Sequence, residues 1–243
     1  MLGKIVHVIA PAIIRKYKRE GFAGVIEGIK YERNKRFVQK QRCLISYKIA
    51  RKANFTVQYG PFKGLKMKKK EYWGCDQGTK CMGLYEQQIQ ETLVRIRRDR
   101  GRTVFFDIGG ADGYFAVGGL KNGLFDFVYV FEKEDDGRRN IEEVSKMNCV
   151  QENIEIHGEV SQSSVRNILS THPYLVLEKS VFLVDIEGAE FQIFDSDFLE
   201  FLSPANLIIK THDATPNQQK FKRSITRATK STKLYILLET LKK

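Results

Sequence analysis

The chain has 243 residues, of which 42% are hydrophobic and 29% charged, and its formal net charge is +12. That balance excludes a disordered chain, and the length holds one full domain with an extension and a sizeable core. No run approaches the ~18 apolar residues of a membrane-spanning helix. The charge is unevenly spread. Residues 1–102 carry 25 Lys/Arg against 8 Asp/Glu (+17), residues 103–215 carry 8 against 20 (−12), and residues 216–243 carry 8 against 1 (+7). An acidic core is thus flanked by two basic segments. The expected division is a basic N-terminal extension (1–102), a core (103–215) and a basic C-terminal segment (216–243). Basic flanks suit an anionic polymer or an anionic membrane surface, and they equally suit a solvated lysine-rich surface.

Residues 1–14 are mostly apolar (Ile5, Val6, Val8, Ile9, Ile13, Ile14), and the basic stretch Arg15–Arg19 follows. This charge order is the reverse of a signal peptide's, and no cleavage-site pattern follows it. A helix packed on the domain and an interfacial helix on anionic lipid both remain open; Pro11 interrupts a long amphipathic face and favours packing. Residues 20–53 are basic and helix-compatible. Around Gly60–Pro61 the pattern alternates apolar and polar residues, which predicts a β-hairpin over 54–75. Leu84–Ile96 then places Leu84, Ile89, Leu93 and Ile96 at helical spacing, with Tyr85 and Glu86 where a lid would start.

The densest stretch is Thr103–Tyr114, TVFFDIGGADGY. A β-forming run (Val104, Phe105, Phe106, Ile108) carries an acid, Asp107, near its end. Gly109, Gly110 and Gly113 follow, and an amphipathic run, Tyr114–Leu120, comes next. This predicts a buried strand, a tight turn and a helix N-terminus, with glycines that admit positive φ and leave room for a ligand. It reads as a nucleotide-type cofactor site. The dinucleotide fingerprint fails because Ala111 replaces its second glycine, and Asp107 would repel a pyrophosphate. An acid there suits an ammonium. The next strand, Phe127–Phe131, ends in Glu132, where a doubly wound sheet binds ribose hydroxyls. Ammonium, ribose and no phosphate together describe S-adenosylmethionine. The turn residues Ala111, Asp112 and Tyr114 belong to the same candidate set.

A helix over Asp135–Met147 and a strand over Ile154–His157 are expected next, and Glu159 and Ser161 then fall near an adenine edge or in an ordinary loop. The strand Val181–Asp185 opens VDIEGAEF, which packs Asp185, Glu187 and Glu190 at a strand-to-helix turn. Such acids could orient a hydroxyl, act as a general base or ligate a hard cation, and Glu190 suits a helix cap. After a helix over Phe191–Leu202, the strand Leu207–Lys210 ends in Thr211, His212 and Asp213. His212 is placed to take a proton from a hydroxyl, or else is structural. A last strand is expected at Leu234–Leu238. The four cysteines (Cys43, Cys75, Cys81, Cys149) lack zinc-site spacing; a reduced intracellular compartment is the simpler reading, and Cys75–Cys81 the pair available for bridging.

DIGGADGYFAVG, the Phe131–Glu132 pair, VDIEGAEF and the strand ending THD together resemble the FkbM-like family of S-adenosylmethionine-dependent methyltransferases. GPFKGLKM and GLYEQQI upstream resemble that family's leader segments, so the resemblance covers most of residues 55–213. It implies an α/β, class I methyltransferase (Rossmann-like) doubly wound sheet and methylation of hydroxyl oxygens on sugars, glycans or related metabolites. Asp107, Gly109 and Gly110 would then hold the methionine part of the cofactor, Glu132 the ribose, and Glu159 would lie near the adenine. Asp185 would stand at the methyl-transfer crevice. Lys210 stands close to where such proteins carry an acid, and one strand stands where the fold normally ends in an antiparallel hairpin.

For methyl transfer, His212 or Asp185 is the expected base, with Glu187 or Asp213 orienting the hydroxyl. A divalent cation on Asp185 and Glu187 is a lesser expectation. The acceptor is expected to be a small molecule or glycan, with no DNA, in a cytoplasmic or membrane-peripheral setting. Two other functions stay open. One is RNA ribose 2'-O-methylation by a Lys-Asp-Lys-Glu set, loosely supplied by Asp185, Lys210 and Glu239, which steep salt dependence would reveal. The other is a non-catalytic cofactor-binding module.

Overall fold

A computed structural model describes residues 2–69, 74–101, 104–172, 175–186, 188–211 and 233–238. Among the described residues six strands form one sheet in the order β3-β2-β1-β4-β5-β6: β1 (Val104–Ile108), β2 (Phe127–Phe131), β3 (Ile154–His157), β4 (Ser180–Val184), β5 (Asn206–Thr211) and β6 (Lys233–Leu238). Every neighbouring pair is parallel. This is the doubly wound, Rossmann-like architecture expected of a class I methyltransferase fold. It departs from that expectation at the last strand, which joins β5 in parallel rather than closing an antiparallel hairpin. A parallel return needs a crossover of about a dozen residues or more, and residues 212–232 supply that length.

Both faces of the sheet are buried, so its strands read as continuous apolar runs. On one face Phe105, Val128, Val130, Val181, Leu183 and Ile208 pack with Val57, Phe62, Leu65, Ile89 and Leu93. That face is covered by α3 (Gln87–Arg100), α4 (Tyr114–Lys121) and α5 (Asp135–Met147). On the other, Phe106, Ile108, Tyr129, Phe131, Phe182 and Val184 pack under α6 (Gln162–Thr171) and α8 (Ser196–Phe201). Phe106 stacks between Tyr129 (5.1 Å) and Phe182 (4.3 Å) in the middle of that face.

Several local expectations shift. The Gly60–Pro61 segment folds back on itself, with Val57 N donating to Leu65 O and Met67 N to Phe55 O. The pairing reduces to a single antiparallel bridge, Thr56–Lys66, because the segment packs its side chains under α4 instead of extending a ladder. The helix expected from Leu84 starts at Gln87, since Glu86 is left-handed (φ 44, ψ 53), and Leu84 is exposed. The single helix expected over 191–202 is two, α7 (Glu190–Ile193) and α8. The break comes at Asp195, whose carboxylate accepts from Phe198 N at 2.8 Å and starts α8 anew.

At the N-terminal side, α1 (Leu2–Lys52) is broken at Gly21 (φ 67, ψ −170) rather than at Pro11. Its C-terminal end is fastened to α2 (Gln77–Cys81). Ser46 Oγ accepts from Gly78 N at 2.8 Å, and a Cβ on Gly78 would lie 2.8 Å from Ser46 O. The disulfide partner of Cys75 is Cys43, not Cys81, because α1 passes beside Cys75 while Cys81 is turned into the Ala50–Phe55 cluster.

Candidate active site

The sheet order reverses between β1 and β4, and the carboxyl ends of β1, β2, β4 and β5 open onto one crevice. Each contributes a charged side chain there: Asp107, Glu132, Asp185 and Lys210. Asp107 is only 3% exposed. Its carboxylate takes a hydrogen bond from the Ala116 N–H, while Oδ2 is buried with no hydrogen-bond partner. Burial first, and then the Asp185 carboxylate, push its pKa up to about 8. At neutral pH it is therefore mostly protonated, and a cation seated against it would let it ionise.

Glu132 is 8% exposed and holds the turn together. Its Oε2 accepts from Ala111 N at 2.8 Å and Oε1 from Glu134 N at 2.9 Å. Each carboxylate oxygen keeps a further lone pair for a hydroxyl. The turn itself is a closed structure. Gly109 N and Gly110 N both donate to Phe131 O, Gly113 N to Gly110 O, and Tyr114 N to Asp112 Oδ1. With those amides committed, the turn offers little to a phosphate, as the departure from the dinucleotide fingerprint implies.

The glycines serve packing, where the sequence suggests ligand access. A Cβ on Gly109 would lie 2.0 Å from the carbonyl oxygen of Asp185, and its φ is +94°. A Cβ on Gly110 would lie 2.2 Å from Val130 Cγ1. They let the tips of β1, β2 and β4 close against one another. Gly109→Ala combines an unfavourable φ with a clash on backbone, so a loss of about 3–5 kcal/mol is expected. Thermal unfolding should then fall by roughly 10 °C; a shift of only a degree or two would refute this account of the turn.

Across the crevice, Lys210 Nζ bridges Glu86 Oε1 (2.7 Å) and Asp185 Oδ2 (3.0 Å). Burial works against its charge, but the two carboxylates outweigh it and hold its pKa above the usual lysine value. Lys210 therefore stays cationic. A second lysine, Lys80, pairs with Asp112 Oδ2 at 2.5 Å and lies 4.7 Å from the centre of the Tyr85 ring. Burial, and then the Glu86 carboxylate, raise the Tyr85 pKa, so it remains a neutral phenol.

The structure thus gathers Asp107, Gly109, Gly110, Ala111, Asp112, Glu132 and Asp185 around one crevice. Tyr114 lies beneath it: its hydroxyl sits between Gln90 Nε2 (3.3 Å) and Lys80 O (3.5 Å), and its ring packs edge-on against Phe62 and Tyr85. Glu159 sits at an exposed rim, paired with Lys133 at 2.9 Å. Glu190 does not cap the helix as its position suggests: Ala189 is the N-cap of α7, and Glu190 Oε1 instead reaches back to accept from Gly188 N at 3.0 Å and Ile186 N at 3.3 Å, fixing the turn after β4. Glu187, His212, Asp213 and Glu239 lie outside the described residues. Among the described residues no cluster of three or more His, Cys, Asp or Glu is arranged to hold a metal ion. The sequence places Glu86 only where a lid would start and marks Lys80 for nothing; neither is expected to form an ion pair at the crevice. The signal for Glu86 is its left-handed backbone, visible only in three dimensions.

No protein-family model matches the chain, and no curated protein matches it. Among solved structures it is similar in part to an RNA methyltransferase from Salinibacter ruber in complex with S-adenosyl-L-homocysteine. There the identity is 13% and the TM-score 0.29, over 42% of this chain and 62% of that one. It is also similar in part to the mitomycin 7-O-methyltransferase MmcR, at 13% identity and TM-score 0.30, over 65% of this chain and 48% of that one. The match therefore spans 62% and 48% of those two chains, less than two thirds of either.

Proposed function

We propose that this chain is an S-adenosylmethionine-dependent methyltransferase acting on a hydroxyl oxygen of a sugar, glycan or related metabolite. The observation that carries the reading is Asp107: a buried carboxylate with an unpartnered oxygen at the switch point of a doubly wound sheet. An ammonium satisfies it, and Glu132 on the neighbouring strand is free to accept from a diol. The resemblance of DIGGADGYFAVG and VDIEGAEF to FkbM-like methyltransferases supports the same assignment.

When bound, the cofactor supplies an electrophilic methyl group on a sulfonium. Asp107 would pair with its ammonium and Glu132 would hold its ribose, while Glu159 is proposed near the adenine. The chain's own work is then positioning and proton removal. Lys210, being cationic, cannot be the base; it would stabilise negative charge on the attacking oxygen. Asp185 already accepts from Lys210, so His212, next in sequence after the last residue of β5, is the proposed base. Asp185, with Glu187 or Asp213, would orient the hydroxyl.

A second reading, the ribose 2'-hydroxyl of RNA, is favoured by the Asp185–Lys210 pair at 3.0 Å, two members of a Lys-Asp-Lys-Glu set. RNA affinity that falls steeply with salt would support it, and a flat response would remove it.

Calorimetric titration with S-adenosylmethionine tests the cofactor, followed by methyl transfer to sugar and RNA acceptors. Glu132→Gln should weaken binding by about 10–100-fold, because two hydrogen bonds to a charged acceptor become weaker and one turn amide faces an NH2. A folded wild-type protein that does not bind would overturn the assignment.

A further inference from the structure

We infer that the Phe22–Leu44 part of α1 is a docking surface for an anionic lipid bilayer, lying in the plane of the membrane. The inference does not depend on what the crevice binds. No side chain between Gly21 and Arg42 is buried, so about 30 Å of helix lies on or away from the body. Its far end is fastened at Ser46, Ala50 and the Cys43–Cys75 bond.

Phe22, Ile26, Ile29, Phe37 and Leu44 recur at helical spacing and share one face. They are between 39% and 71% exposed. A single exposed leucine means little, but five large apolar side chains on one helix face, with Arg33 and Lys40 set among them, mark a contact surface. Charge identifies the occupant. From Phe22 to Lys52 there are nine Lys/Arg against two acids, Glu27 and Glu32. Arg33, Arg36 and Lys40 lie on or beside the stripe, where their apolar stems can run along acyl chains while their heads reach phosphates.

The two rival occupants fit less well. A second copy of the helix would bring two strongly cationic segments together. RNA would use the basic residues and an aromatic ring or two, but it has no use for Ile26, Ile29 and Leu44 in one row. A bilayer uses the apolar face and the charge at once.

Co-sedimentation of the full chain with vesicles tests this, using phosphatidylcholine alone or with about a third phosphatidylglycerol. Wild type should sediment with the anionic vesicles and at least about tenfold less with the neutral ones or in high salt. Two variants separate the contributions: Ile29→Ser with Phe37→Ser, and Arg33→Gln with Arg36→Gln and Lys40→Gln. Each should lower partitioning at least about tenfold. All five positions are exposed, so circular dichroism melts should match wild type. Absence of sedimentation with anionic vesicles would overturn the proposal. So would unchanged sedimentation of the serine variant, or a wild-type dimer that the serine variant loses while neither protein binds vesicles. Full displacement of the protein from vesicles by an RNA oligonucleotide that binds both variants equally would overturn it in favour of nucleic acid.

Discussion

Asp107→Asn should weaken cofactor binding at least about 100-fold while making the ligand-free protein more stable at alkaline pH. The two effects have one origin. The Asp107 pKa lies at about 8, against an ordinary value of 3.8, because the group is buried and faces Asp185. A carboxylate raised in the folded state makes its full contribution to stability below the unfolded pKa. That contribution is lost as pH rises from about 4 to about 8. Four units correspond to an upper bound on the order of 5 kcal/mol. Asparagine keeps the shape and the acceptor for the Ala116 N–H but never ionises. Denaturant unfolding should therefore find the variant within about 1 kcal/mol of wild type at pH 5 and several kcal/mol more stable at pH 9. Parallel stability curves would mean that Asp107 is already ionised and satisfied.

Binding should show the mirror image. Below pH 8 the wild-type carboxyl must lose its proton to pair with an ammonium, so cofactor binding at pH 6.5 should release close to one proton. Calorimetry in buffers of different ionisation enthalpy measures that directly. Affinity should rise by up to about tenfold per pH unit toward pH 8, then level off as an amino group of ordinary pKa loses its own proton. Asp107→Asn should remove the proton release and weaken binding at least about 100-fold, as expected for a buried charged partner that is lost. A variant that gained alkaline stability without losing affinity would separate the buried acid from cofactor recognition, and the proposed function would then lose its main support.

The parts of this molecule that could be read from sequence are those where a local pattern has one physical meaning. The apolar runs of β1, β2 and β4 are continuous because both faces of the sheet are covered, and their acids mark the carboxyl edge. Asp135–Met147 announces itself by acids at its start and a clear period. The glycines of the turn were legible as positions needing small residues, but the reason was not. Gly109 faces the backbone of Asp185, and that contact spans 76 positions of sequence. Lys210 looked anomalous beside a family that carries an acid nearby. Its meaning came from Glu86, 124 residues earlier, which the left-handed turn before α3 delivers to the crevice. The split of the 190–202 helix depended on one side-chain cap at Asp195, a choice between local hydrogen bonds that periodicity cannot rank.

Lys210→Met should cost about 3–5 kcal/mol, because it leaves the Glu86 and Asp185 carboxylates in a buried setting without their shared cation. The side chain is 9% exposed, so solvent does little to screen the loss. In wild type the Lys210 pKa is raised, so its contribution is fully present below the ordinary lysine value of 10.5 and is lost only as pH rises through the higher folded value. Between pH 5 and 9 the wild-type contribution of this group is therefore constant. The methionine variant should behave differently: its deficit should shrink on acidification as the two carboxylates take up protons. Adding Glu86→Gln to Lys210→Met should recover a large part of the lost stability even at neutral pH, since one of the two stranded charges is gone. Lys210→Arg keeps the charge and should remain within about 1–2 kcal/mol of wild type. Catalysis separates what stability cannot. If Lys210 serves only to join β5 to the start of α3, the double variant regains activity along with its fold. If it also stabilises charge on the acceptor oxygen, the refolded double variant should still bind S-adenosylmethionine with wild-type affinity. Its turnover should stay down by roughly 100-fold, as for the loss of one preorganised charge in an active site.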